Sequence, residues 1–222
     1  MRPFPRWMAS AALVVSMLNP VYGAQDRPVT VAVSIPPQKF LLDWIGGDRI
    51  RVHVMLEPGQ APETFEPTPR QMAVLAEAQV YFRIGVPFEG AWLNSTQAVN
   101  TSLAVVDCCN QFAAETQANG RPNPDPHVWV SPITALNIAE LMTQELIRLD
   151  PPGRQNYASN FRDLRVALKQ LDREIGNLLE NRRTPYFIIS HDSLGPFAEA
   201  YGLIQLSLEA GGKAAGPRAI SE

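Results

Sequence analysis

A single stretch late in the chain limits the possible folds more than any other. From Arg154 to Arg183, Tyr157, Phe161, Leu164, Leu168, Leu171, Ile175 and Leu178 recur at three- and four-residue steps. That is the repeat of an amphipathic helix. Uninterrupted, it spans roughly 40 Å at 1.5 Å per residue, enough to run the length of a domain rather than cap it. Asp150-Pro151-Pro152-Gly153 separates it from another helical segment, Pro132 to Leu149.

Ahead of these helices the pattern alternates. Val29 to Ile35 (VTVAVSI), Arg51 to Leu56, Val80 to Ile84 and Ala104 to Val106 read as strands, being rich in β-branched and apolar residues. Gln38 to Ile45, closed by Gly46-Gly47, and Pro69 to Ala78 read as helices between them. Strands alternating with helices predict an α/β lobe with a mostly parallel sheet. Beyond the long helix, Tyr186 to Ser190, Gly195 to Tyr201 and Leu203 to Leu208 repeat strand, helix, strand. These are too few elements to close a core of their own, which predicts a second α/β lobe that is incomplete, in a truncated or partial chain.

The N-terminus reads as a secretory leader. Arg2 and Arg6 precede an apolar run, Ala11 to Leu18, and Val21-Tyr22-Gly23 supplies the small residues a signal peptidase reads. The run is far shorter than the roughly 20 residues of a membrane-spanning helix. Residues 1–24 are therefore expected to be removed, and the mature chain to be exported. No Cys follows the run, so lipid attachment there is unsupported. The net charge is −3, and loss of Arg2 and Arg6 takes it to −5. That balance excludes a basic nucleic-acid surface and tolerates a cationic ligand. The two cysteines, Cys108 and Cys109, are adjacent. Zinc thiolate sites usually need a second pair, so a structural role is expected for both, with redox chemistry as the alternative.

Only three histidines occur. His53 lies within a strand and reads as structural. His127, in Asp125-Pro126-His127-Val128-Trp129, sits at a loop end before a helix; His191, in Ser190-His191-Asp192, sits just past a strand. Strand and loop ends are where α/β folds place ligands, and imidazole is a common ligand for zinc and its neighbours. By residue type alone, either could equally be a surface or capping residue.

Three ordered segments carry a resemblance. The loop Pro58-Gly59-Gln60-Ala61-Pro62-Glu63-Thr64-Phe65-Glu66-Pro67-Thr68-Pro69 is similar to the Pro-Gly-x-x-Pro-His-x-Tyr-Glu-Pro-x-Pro loop of the zinc/manganese substrate-binding proteins of ABC transporters. Asp125 to Pro132 resembles that family's Asp-Pro-His-x-Trp-x-Asp-Pro motif, and His191 to Phe197 with Tyr201-Gly202-Leu203 resembles its third. Glu209 to Lys213 with Pro217 is similar to the loop that follows. The resemblance runs from about residue 29 to the end of the chain.

It implies two α/β lobes joined by one long rigid helix, with the metal in the cleft between them. The corresponding division is residues 25–152, 153–183 and 184–222. It implies His127 as a ligand from the first lobe and His191 from the second, and a further carboxylate ligand beyond residue 222. Where the family has His in the first motif, this chain has Glu63. A carboxylate binds zinc at nearly the same distance, so Glu63 is expected to ligate. More oxygen in the shell moves preference toward manganese or ferrous iron. Glu66 is expected either to support a ligand from behind or to brace the loop, and Asp125 and Asp192 are placed to accept the second imidazole N–H of their neighbouring histidines. Asn110 to Asp125 contains no His, so the His-rich insertion of many zinc-specific members is missing.

The implied function is a monomeric periplasmic protein that captures Zn2+, alternatively Mn2+ or Fe2+, and delivers it to an ABC transporter permease. An adhesin-like protein is one alternative. A zinc hydrolase is another, and the chain lacks the helical H-E-x-x-H that would support it.

Overall fold

The computed structural model describes residues 27–60, 64–109, 125–210 and 213–214. The expected leader lies outside them. The first lobe is built on β1 (Val29–Val33), β2 (Ile50–Val54), β3 (Val80–Arg83) and β4 (Ala104–Asp107), all parallel in the order β2-β1-β3-β4. Helices α1 (Pro36–Gly46), α2 (Pro69–Glu77) and α3 (Glu89–Val99) connect them. Parallel neighbours require such crossovers.

Local chemistry sets the helix starts. Pro36 and Pro37 open α1, two residues ahead of the expected Gln38, since proline's missing N–H and fixed φ suit a first turn. Gln38 Oε1 accepts from the backbone N–H of Ser34 and Ile35 at 3.0 and 3.2 Å, satisfying donors just ahead of the helix. At α2, Thr68 Oγ1 accepts from Gln71 N, and Gln71 Oε1 accepts from Thr68 N. This reciprocal capping box holds the end of the Pro-rich loop.

The helix α3 is absent from the sequence expectation. Its buried residues, Glu89, Trp92, Leu93 and Thr96, follow helical spacing, but half of them are polar, so the apolar stripe is weak. Glu89 is 1% exposed. Its carboxylate accepts from Ser34 Oγ, from Ile84 N and Gly85 N at 2.8 and 2.9 Å, and from Arg83 Nε at 3.2 Å. A buried charge needs such pairing to be tolerated. The result ties the ends of β1 and β3 together.

The long helix is α5 (Arg154–Glu180), preceded by α4 (Pro132–Leu149). It stops three residues short of the expected Arg183. Arg182 Nη1 donates to Leu179 O and Nη2 to Gly202 O, so a basic side chain covers the C-terminal carbonyls. Its first half packs on α1 and α4, burying Tyr157, Leu164 and Leu168. At its start Asp150, 1% exposed, accepts from Arg49 Nε and Nη2 at 2.8 and 2.9 Å and from Tyr157 Oη at 2.7 Å. Gly153 lies beneath this knot. A Cβ there would meet Asp150 Oδ2 at 2.4 Å and Arg49 Nε at 2.5 Å, so only glycine fits.

The second lobe contains β5 (Tyr186–Ile189) and β6 (Ile204–Ser207), paired in parallel, α6 (Gly195–Ala200), and a short antiparallel pair, β7 (Glu209–Ala210) with β8 (Lys213–Ala214). Tyr201 Oη donates to Asp172 Oδ1 at 2.9 Å, fastening α6 to the long helix. The molecule is thus two α/β lobes joined by one long helix, the second with far less sheet than the first. Among the described residues no helix is long and apolar enough to cross a membrane.

Candidate metal centre

Asp125 is 6% exposed and follows the region after β4. Its Oδ1 accepts from the backbone N–H of His127 at 2.9 Å and contacts His127 Nδ1 at 2.8 Å. A carboxylate can only accept, so Nδ1 carries the proton and Nε2 keeps its lone pair for a ligand. The expectation for Asp125 is met. Trp129 covers one side of the imidazole, with ring centres 5.2 Å apart, and Pro132 then opens α4.

His191 follows β5 and is exposed. The turn that carries it is held from below. Asp192 Oδ1 accepts from Gln205 Nε2 on β6 and from Ser207 Oγ at 3.3 Å, while Gln205 Oε1 accepts from Leu194 N at 2.8 Å. These bonds give Asp192 a role in fixing the turn to β6, which the sequence did not suggest. The two histidines, 64 positions apart in the chain, meet across the lobes. Their ring centres are 5.5 Å apart and their planes stand at 81°.

Glu63 lies outside the described residues, within 61–63, as does the His-free stretch 110–124. The loop around Glu63 is anchored on both sides. Phe65 is buried against Phe88 at 4.7 Å, and Phe88 stacks on Trp92 at 6.4 Å. Gln71 Nε2 donates to Met55 O at 2.6 Å. Glu66 is exposed, and the bracing expected of it falls to Phe65 and Gln71. An aromatic two residues past a candidate ligand was the available signal for Phe65. Among the described residues no three His, Cys, Asp or Glu side chains gather as a metal-holding set.

Cys108 and Cys109 are buried free thiols. Burial, reinforced by Asp107 and Glu89, pushes Cys109 up to about 11 and Cys108 further still. Both stay protonated at neutral pH, unlike a reactive or metal-bound thiolate, in keeping with the structural reading.

The two α/β lobes thus present paired imidazoles to one another. Comparison with known proteins gives the family. A profile described as "Zinc-uptake complex component A periplasmic" matches residues 31–222. A crystal structure of ZnuA superposes with a TM-score of 0.79 at 33% identity, over 88% of this chain and 76% of that one. The chain belongs to this family of substrate-binding transport proteins, which are not enzymes. Curated relatives include the manganese ABC transporter substrate-binding lipoprotein PsaA of Streptococcus anginosus, 27% identical over 170 residues. The iron ABC transporter substrate-binding lipoprotein MtsA of Streptococcus pyogenes serotype M1 is 27% identical over 172 residues. Those alignments cover 72% of this chain in each case, and 55% and 54% of the relatives, so the chain spans just over half their length.

Proposed function

We propose that this protein captures a divalent transition-metal ion in the cleft between its lobes, in the periplasm, and hands it to the membrane permease of an ABC transporter. His127 and His191 supply two nitrogen ligands and Glu63 a carboxylate. Residues 25–152 form the capturing lobe, 153–183 the connecting helix and 184–222 the start of the second lobe, after removal of a leader at 1–24.

One observation carries the reading: the 5.5 Å separation of the two imidazole centres. With Zn–N near 2.0–2.1 Å, two imidazoles sharing one tetrahedral ion have ring centres about 5 Å apart. The pair therefore stands close to bidentate spacing, and the Asp125 bond already holds His127 in the tautomer that leaves Nε2 free. Zinc is the proposed cargo, from the family description and the nitrogen pair. Manganese and iron are named for the two curated relatives, and a carboxylate at 63 favours them more than a third imidazole would. Release to the permease follows from geometry: separating the lobes parts the two histidines and breaks the shell.

Elemental analysis and calorimetric titration with Zn2+, Mn2+ and Fe2+ test this. One ion per chain is expected, with binding collapsing in His127→Ala and in His191→Ala. Unchanged affinity in either variant refutes the site. Glu63→His is expected to hold or raise zinc affinity, and a clear loss would count against ligation at 63.

A further inference from the structure

A second concavity opens at the far edge of the first sheet. It has a volume of about 590 Å3, within the range of about 300–1,000 Å3 typical of small-molecule sites. It lies along β2, which ends the sheet in the order β2-β1-β3-β4, between α1 and α2. Neither His127 nor His191 lines it.

The charges converge there from three elements. Lys39 comes from α1, His53 from β2 and Arg70 from α2, and all three line the cavity. Burial lowers the pKa of His53, and Arg51, Arg70 and Lys39 lower it further, in that order. Three cations therefore act on one half-buried imidazole, in a chain whose net charge is negative. The compensation is thin. Asp43 pairs with Lys39 at 2.6 Å in an exposed i,i+4 bridge, which holds Lys39 only weakly. Among the described residues Glu57 is the one carboxylate in the lining. Arg70 is exposed and forms no ion pair among the described residues.

Charged side chains commonly guard an open sheet edge, but guarding requires only that they face solvent. Here they surround a cavity whose remaining wall includes Val52 and Val74. Cationic side chains from two different helices, in a lining that also holds apolar residues, suit two acidic groups on a short aliphatic spacer.

We propose that this cavity binds a small aliphatic dicarboxylate, one carboxylate on Arg70 and His53 and the other on Lys39. Lys39 exchanges Asp43 for the ligand, and Gln71, also in the lining, is placed to donate a hydrogen bond. The site rests on none of the metal-binding residues, so its fate and that of the metal reading are independent.

Succinate is the probe, added to the full, metal-free chain, with His53 followed by NMR. The chain has three histidines, and His53→Gln assigns the signal. A saturable shift of the His53 resonances is expected, with its pKa rising on binding because an anion favours imidazolium. Arg70→Gln and Lys39→Gln should each weaken succinate at least about tenfold, while His127→Ala leaves it unchanged. Both cationic substitutions lie at exposed or half-exposed positions, and the wild-type titration stands whether or not they fold. His53 signals unmoved at tens of millimolar succinate overturn the proposal. So does an undiminished succinate affinity in Arg70→Gln, or inorganic phosphate binding as tightly as succinate, which would mark a general cationic patch.

Discussion

Strands β1 and β5 are alike in composition and both pair in parallel, yet they meet solvent differently. Every residue of β1 but Thr30 is buried, whereas Tyr186 and Ile188 of β5 are 54% and 69% exposed. The partner of β5 repeats this, with Ile204 and Leu206 at 45% and 47%. A parallel sheet is stable when both faces are covered. In the first lobe α1 and α2 lie against β1, and the core extends through α4 and the first half of α5. Among the described residues the second lobe has one two-stranded parallel sheet, a short antiparallel pair and one short helix on the far end of α5. The same asymmetry runs into the site. His127 is fixed by a buried carboxylate in a covered frame, while His191 rides on a turn tied to an open pair of strands.

The widest separation between the lobes should appear in stability. Phe82→Ala, at a fully buried position of β3, is expected to cost about 3–5 kcal/mol. Ile188→Ala should stay within about 0.5 kcal/mol, as surface changes do. Denaturant midpoints check both, and a large loss at Ile188 would mean that β5 is better covered than it stands here. Next comes the knot at the head of α5. Arg49→Ala strands the buried Asp150 carboxylate; breaking a buried pair costs about 3–5 kcal/mol, and a one-third-exposed Arg49 side chain puts the expected loss below that range. Asp150→Asn with Arg49→Ala should recover part of it, in a double-mutant cycle.

At the site, Asp125→Asn keeps an oxygen acceptor for His127 but removes the carboxylate charge that strengthens the bond to Nδ1–H. Metal affinity should fall about 10–100-fold, read by calorimetry. The smallest effect concerns pH. The folded-state pKa of His53 is depressed, so the unfolded chain takes up a proton where the folded one does not. The contribution of His53 is full above its unfolded value, about 6.5, and stability declines as pH falls through it. His53→Gln should flatten that part of the slope between pH 7.5 and 5.5; an unaltered slope would show that His53 is not desolvated.

Much of the fold was legible because its signals are local. The seven-residue stripe of α5, the prolines opening α2 and α4, and the β-branched strands follow from spacing and backbone chemistry, whereas Pro36 and Pro37 belong to α1, ahead of the Gln38 start that the sequence predicts. The helix α3 was not legible. Its buried face is half polar, and Glu89 is acceptable inside only because Ser34, Arg83 and two backbone N–H groups, from other elements, surround it. The Asp125–His127 bond spans two residues and could be anticipated. The bonds that Asp192 accepts from Gln205 and Ser207 on β6 come from residues 13 and 15 positions away, which no local pattern announces.

By itself, then, the sequence determined which residues can ligate a metal and the order of strands and helices that carries them. Those depend on side-chain type and on interactions a few residues long. The tertiary structure alone decided that His127 and His191 meet, that β2 is the edge where Lys39, His53 and Arg70 converge, and that β5 pairs with β6. Each of these is a distance between segments remote in the chain, fixed by sheet order and by packing on α5 rather than by any local repeat.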